Sequence, residues 1–287
     1  MPRLSRAAAA TAALRVWTVC VFVFLFAPIG TAVLYSFNQG VLGKQTAAFT
    51  GFTLHWFPNA WNNPDLRDTV GTSFKVAVAV ALIATCFGTI AGITLARHRS
   101  RVLRGSLEGL ILLLLIVPEI VLGVSLLLYF SKLGVALGYW PLVAGHSPFT
   151  IAVVAIIVRA RAVTLDPAIE EAATDLGAGG LRAFWDVVRP QIQPAVLAAM
   201  LLAFTFSFDD LVISVFLTTP TVNTLPVYLF GTVQYGVTPD VYAIATMMLG
   251  FTLALFALGG VIYWLQAKRI TGRGSISLLG AQVEGTG

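Results

Sequence analysis

The sequence predicts an all-α, polytopic membrane protein with six transmembrane helices. Three observations carry this. The 287-residue chain is 57% hydrophobic and only 11% charged, with mean hydropathy +0.87, whereas a soluble domain is about 25% charged. Six apolar runs approach the ~20 residues that a spanning helix needs: about 14–37, 69–96, 106–130, 148–163, 191–217 and 240–266. The basic residues divide unequally between alternate loops.

The first run follows Arg3, Arg6 and Arg15, as in a signal peptide. From Val16 to Phe37 it is longer than the 7–15 residues of a cleaved apolar region, so it reads as an uncleaved span. The loop 38–68 contains "LHWFPNAWNNPDL". It predicts a short interfacial helix, with Trp56, Phe57 and Trp61 suited to the headgroup region. The fourth run ends in "VRARAV" and is expected to leave the membrane as a helix. The Ala-rich stretch 7–13 and the Gly-rich end from Gly280 to Gly287 are expected to fray. Cys20 and Cys86 lie within apolar runs and read as small apolar residues.

Fourteen of the eighteen Lys and Arg residues fall in the N-terminus, "RHRSRVLR", the 159–189 segment and the tail after Gln266. Three, namely Lys44, Arg67 and Lys132, fall in the opposite loops, and Lys75 lies near the start of the second span. The asymmetry puts both termini and the 159–189 segment in the cytoplasm. It also explains the basic balance of the chain without nucleic acid.

The sequence offers little to an enzyme. No G-x-x-x-x-G-K-[ST] occurs, and "GVLGK" at Gly40–Lys44 has the wrong spacing for a phosphate loop. His55, His98 and His146 read as scattered over loops on both sides, without metal-ligand spacing. A secondary transporter often shows repeated halves, and none is visible here.

One polar island interrupts the apolar sequence: "LDPAIEEAATDLGAGGLRAFWDVVRPQIQP", Leu165 to Pro194. Asp166-Pro167 is a helix start, with Asp as cap and Pro at the first helical position. Glu170 and Glu171 fall where the helix dipole favours negative charge. Ala172 and Ala173 leave one side smooth for close approach. Gly177, Gly179 and Gly180 are expected to end this helix with a left-handed turn. A second short helix, Leu181 to Arg189, is then expected, with Pro190 and Pro194 marking the return to the membrane. The island reads equally as an amphipathic connector and as a docking element.

The run "EEAATDLGAGGLRAFWDVVRP" resembles the cytoplasmic signature of ABC importer permeases: Glu171-Ala172-Ala173, then Gly177, then Val187, Arg189 and Pro190. Arg189 departs from it, since Leu is usual there. "VPEIVLGVSLLLYF", "FTFSFDDLVISVFLTTP" and "TLPVYLFGTVQYGVTPDVYAIATMML" are similar to the spermidine/putrescine permeases, most of all to the second permease subunit of such systems. The resemblance implies a type I importer fold. Residues 1–68 would hold a cytoplasmic tail, the first span and the external loop. Residues 69–266 would form the transmembrane domain, with a coupling loop at 164–190, and 267–287 a cytoplasmic tail. It implies a transport subunit of a prokaryotic inner membrane rather than an enzyme. The partners would be a sister permease, two copies of an ATPase that binds ATP and Mg, an external solute-binding protein and the lipid bilayer. ATPase coupling would fall to Asp166, Glu170, Glu171, Ala172, Ala173, Gly177 and Pro190. Permeases for ferric iron, sulfate, molybdate or thiamine share the signature and are the competing readings.

Intramembrane carboxylates are costly and face a partner or a water-filled path. Glu119, beside Pro118, and Asp209 and Asp210, in the outer half of the fifth run, are such groups. With Tyr228 and Tyr235 as aromatic faces, they would suit a polyamine. Equally, Glu119 would cap amides freed by the proline, and one aspartate would pair with a base on the partner permease. On a helix the two aspartates would diverge by about 100°.

The charge asymmetry makes a direct prediction. Single cysteines placed at Gly179 and Asn62 should be labelled by an impermeant thiol reagent from opposite sides of the membrane. Labelling of both from one side would contradict the six-span topology.

Overall fold

The computed structural model describes residues 2–41, 48–235 and 239–283, with side chains at residue 8, 10–41, 48–234 and 239–261. The order of its helices is α1 (Pro2–Tyr35), α2 (Trp56–Asn62), α3 (Pro64–Arg97), α4 (Arg101–Ile116), α5 (Glu119–Lys132), α6 (Tyr139–Val163), α7 (Pro167–Asp175), α8 (Gly180–Ala183), a π-helical turn at Phe184–Val188, α9 (Arg189–Phe208), α10 (Val212–Leu217), α11 (Leu225–Tyr235) and α12 (Pro239–Val283). α1 and α12 run through the described parts of both segments that were expected to fray. Residues 284–287 and Leu42–Lys44 of "GVLGK" lie outside the described residues.

Among the described residues, five helices are long and apolar enough to cross a membrane: Ala10–Tyr35, Pro64–Arg97, Tyr139–Val163, Gly180–Phe208 and Pro239–Val261. The expected third span is not one rod. α4 and α5 meet at a 99° bend. Pro118 has no amide hydrogen to continue the helix, and it disfavours helical backbone at the preceding residue. Val117 accordingly lies at φ −60°, ψ 126°. The fourth span begins at Tyr139, earlier than the expected 148, because the break falls at Gly138 with φ 132°. Pro148 sits within the helix.

The chain divides into two compact units. The first comprises the described residues of Met1–Arg67 and Leu229–Phe251. Its connection after α1 is organised by buried Asn38. Asn38 Oδ1 accepts from the Thr50 amide at 2.7 Å, and its carbonyl accepts from Trp56 Nε1 at 2.8 Å. Phe37 stacks on Phe52 and tilts against Phe57, at 5.4 and 5.3 Å between centroids. The short helix expected after the first span is α2. Trp61 on it is exposed, while Trp56 and Phe57 are half-buried in this packing.

The second unit comprises Asp68–Tyr228 with the rest of α12. α3 and α6 pack almost backbone to backbone. A Cβ at Gly88 would stand 2.6 Å from Val154 Cβ, and one at Gly92 would stand 2.6 Å from the Ala155 carbonyl oxygen. One apolar core joins Val76 and Val80 of α3, Leu142 and Val143 of α6, and Ile213 and Leu217 of α10. A second joins Leu165, Val188 and Ile192, with Ile93 of α3 packed against it.

Candidate functional site

At the island, local chemistry builds what the residues dictate. Asp166 has extended backbone, and its carboxylate accepts from the Ala168 amide at 2.9 Å. Pro167 opens α7, where a missing amide hydrogen costs nothing. The C-terminus closes as a Schellman motif. Gly177 stands at φ +85° and donates to the Thr174 carbonyl, while the Ala178 amide donates to the Ala173 carbonyl at 3.0 Å. Only Gly177 of the three glycines uses the left-handed region. Gly179 is extended and Gly180 is already helical.

The expected second short helix is not separate. α8, the π-helical turn and α9 run together from Gly180 to Phe208. Pro190 cannot donate to a carbonyl in the turn before it, and the π turn accommodates this by widening the helix. There the Arg189 amide donates to the Phe184 carbonyl. The Arg189 side chain lies 4.9 Å over the Trp185 ring, which gives the residue at the signature's departure a local role.

Glu170 forms an ion pair with Arg97 at the end of α3. Glu171 and Ala172 are exposed, and Ala173 is half-buried. Around them, Ile169, Leu176, Leu181 and Trp185 are exposed apolar side chains, Leu176 at 91%. No residue of α7 is buried. This is a helix held at its ends and presented outward.

The acidic residues lie elsewhere in the second unit. Asp209 and Asp210, expected as neighbours on one helix, instead occupy a break. α9 ends at Phe208 and α10 starts at Val212. Asp210 Oδ1 accepts from the amides of Ile213 and Ser214 at 3.0 and 3.1 Å, so it caps α10. Asp209 is exposed. Glu119 is half-buried as the first residue of α5, and α5 packs through Leu122 and Leu126 on the core that holds Ile213 and Leu217 of α10. Tyr228 is half-buried on α11, whose first amide, Leu225, donates to Ser73 Oγ of α3 at 2.8 Å. The Tyr235 side chain lies outside the described residues.

His146 is the residue that sequence reasoning misplaced. It is not on a loop but inside α6, 2% exposed. Its Nδ1 lies 2.9 Å from Ser207 Oγ on α9, and its Nε2 lies 3.1 Å from Ser214 Oγ on α10. Nε2 is also 3.6 Å from Asp210 Oδ1. The imidazole thus bridges both sides of the break. The signal was present: an ionisable side chain in the apolar run "PLVAGHSPFTIAVVAIIV" is a functional candidate by default.

A family model described as "Binding-protein-dependent transport system inner membrane component" matches residues 88–272. The chain belongs to this family. It is a multi-pass inner-membrane permease and a transport subunit, not an enzyme. This permease is similar to the putrescine transport system permease protein PotI of Escherichia coli, 38% identical over 86% of this chain and 88% of the relative. It is also similar to the spermidine/putrescine permease PotC of Haemophilus influenzae, at 35% over 84% and 93% of the two chains. Among solved structures it resembles a bacterial ABC transporter involved in the import of the acidic polysaccharide alginate. The TM-score is 0.71 at 12% identity, covering 91% of the permease and 96% of that chain. The fold is that of the type I ABC importer permeases, as the sequence predicted.

The bridge at the break has a testable energy. His146→Phe removes both hydrogen bonds and leaves two buried hydroxyls, each worth roughly 1–3 kcal/mol when unsatisfied. The thermal midpoint of the purified permease should fall by several degrees. Adding Ser207→Ala and Ser214→Ala should recover much of the loss, because apolar partners need no bond. An unchanged midpoint for His146→Phe would contradict the bridging role.

Proposed function

We propose that this permease forms half of the translocation path of an ATP-driven importer for polyamines. An external binding protein delivers putrescine, spermidine or a related amine. A sister permease supplies the other half of the path. Two copies of a separate ATPase bind the ATP and Mg that this chain does not. Both termini and α7 lie in the cytoplasm, as the basic asymmetry requires. The coupling surface is α7 with its flanks, Asp166, Glu170, Glu171, Ala172, Ala173 and Gly177, together with Pro190 at the start of α9. The exposed apolar side chains around Ala172 are suited to a cleft on that ATPase.

One observation carries the choice of substrate class beyond the similarity to PotI and PotC. A carboxylate, Asp209, is exposed at a break in an apolar span, with Asp210 beside it and Glu119 at the start of α5, the helix packed on the α10 side of the break. Polyamines carry several positive charges, and a cluster of carboxylates lowers the cost of bringing them into a membrane. An oxyanion would be repelled by the same cluster. Tyr228 and Tyr235 would add aromatic faces for a cation.

The geometry separates the three acids. Asp209→Asn should reduce amine uptake by at least about tenfold, the loss of roughly 1.4 kcal/mol of contact. The complex should still assemble and hydrolyse ATP. Glu119→Gln should act in the same direction. Asp210→Asn should instead lower the yield of assembled complex, because Oδ1 of Asp210 is committed to the α10 amides. Normal uptake by all three variants would refute the acidic path and return weight to a non-cationic substrate.

A further inference from the structure

α7 is attached to the rest of its unit at few points, and two of these lead to the same helix. Glu170 in its first turn pairs with Arg97, the last residue of α3. One turn earlier on α3, Ile93 packs against the cluster of Leu165, Val188 and Ile192, which lie before and after α7 in the island. Residues four apart share a helix face, so one face of α3 holds α7 directly by a charge and holds the segments that flank it by an apolar contact.

The other end of α3 leads to the break. Val76 and Val80 pack in one cluster with Ile213 and Leu217 of α10. Between the two ends, Gly88 and Gly92 bring α3 against α6 with no room for a methyl group. α3 and α6 therefore cannot slide without repacking. α6 carries His146, which bridges the two sides of the break. From Val80 to Arg97 the helix spans roughly 25 Å. A continuous packed route thus runs from α7 to Asp209 and Asp210.

We propose that the Arg97–Glu170 ion pair is the hitch by which α7 drives α3, and through α3 and α6 the break in the fifth span. Arg97 is a positioning residue that acts through Glu170 and is not itself part of the proposed docking surface. The inference rests on the reading that α7 docks on the ATPase, but not on the identity of the substrate. As a partly exposed pair, 25% and 38% by side chain, it adds little to folding. Its value lies in what it transmits, and transmission requires evidence of energetic coupling.

The test uses the full complex, with sister permease and ATPase co-expressed and reconstituted in lipid nanodiscs. Cys20 and Cys86 are replaced by serine, and Val212→Cys reports on the break through its rate of reaction with a maleimide. A non-hydrolysable ATP analogue should change that rate in the parent by roughly fivefold or more, the usual lower range of coupled sites. Arg97→Glu and Glu170→Arg should each abolish most of the response, and the double charge swap should recover it. Retention of the ATPase during purification reads the docking of α7 separately. With the ATPase retained, a full response in both single variants, no recovery in the swap, or no response in the parent overturns the hitch. Failure of the parent to retain the ATPase would overturn the docking reading and the hitch with it.

Discussion

A helix that stops within a membrane leaves carbonyls at its end and amides at the start of the next segment, with no water to satisfy them. The fifth span of this permease stops in this way between Phe208 and Val212. Asp210 takes two of the exposed amides, and His146 ties Ser207 on one side to Ser214 on the other. Without these groups the break would close into helix or draw in water. With them, Asp209 is left exposed at a fixed place beside a second carboxylate. The polar chemistry of the site is thus a by-product of satisfying the backbone.

The same logic explains what could be read from the sequence. The island was legible because caps are local. Asp166-Pro167 and Gly177 act within a few residues of themselves, so their spacing determines both ends of α7. The spans were legible because apolar length is summed over many residues. Summation also hid the breaks. The run 191–217 is apolar enough on average to read as one span, although Asp209 and Asp210 fall where the helix stops after Phe208. The bend at Pro118 was readable as a kink, but its 99° angle depends on how α4 and α5 pack. His146 was missed because the fourth run was started at 148, just after it, whereas the helix begins at Tyr139 and passes through Pro148. The role of Gly88 and Gly92 needs the partner helix to be seen, since their effect is on Val154 and Ala155.

Two features of unlike origin meet in one unit. At one end, α7 presents a smooth alanine surface bounded by exposed Leu176 and Leu181. At the other, carboxylates stand at a discontinuity held by a buried imidazole. The densely packed pair α3 and α6 lies between them. In the proposed importer ATP hydrolysis lies in another subunit, and the permease would convert contact at one end into rearrangement at the other. A rigid helix pair joined to a broken span is a physical means of doing so.

The path is proposed to be built for a polyamine. This is tested most directly by the purified importer complex with its binding protein, assayed for ATP hydrolysis across a series of solutes. Putrescine or spermidine should stimulate hydrolysis with saturation, while sulfate, molybdate, ferric iron and thiamine should not. Stimulation by an oxyanion, with no response to any amine, would contradict the account.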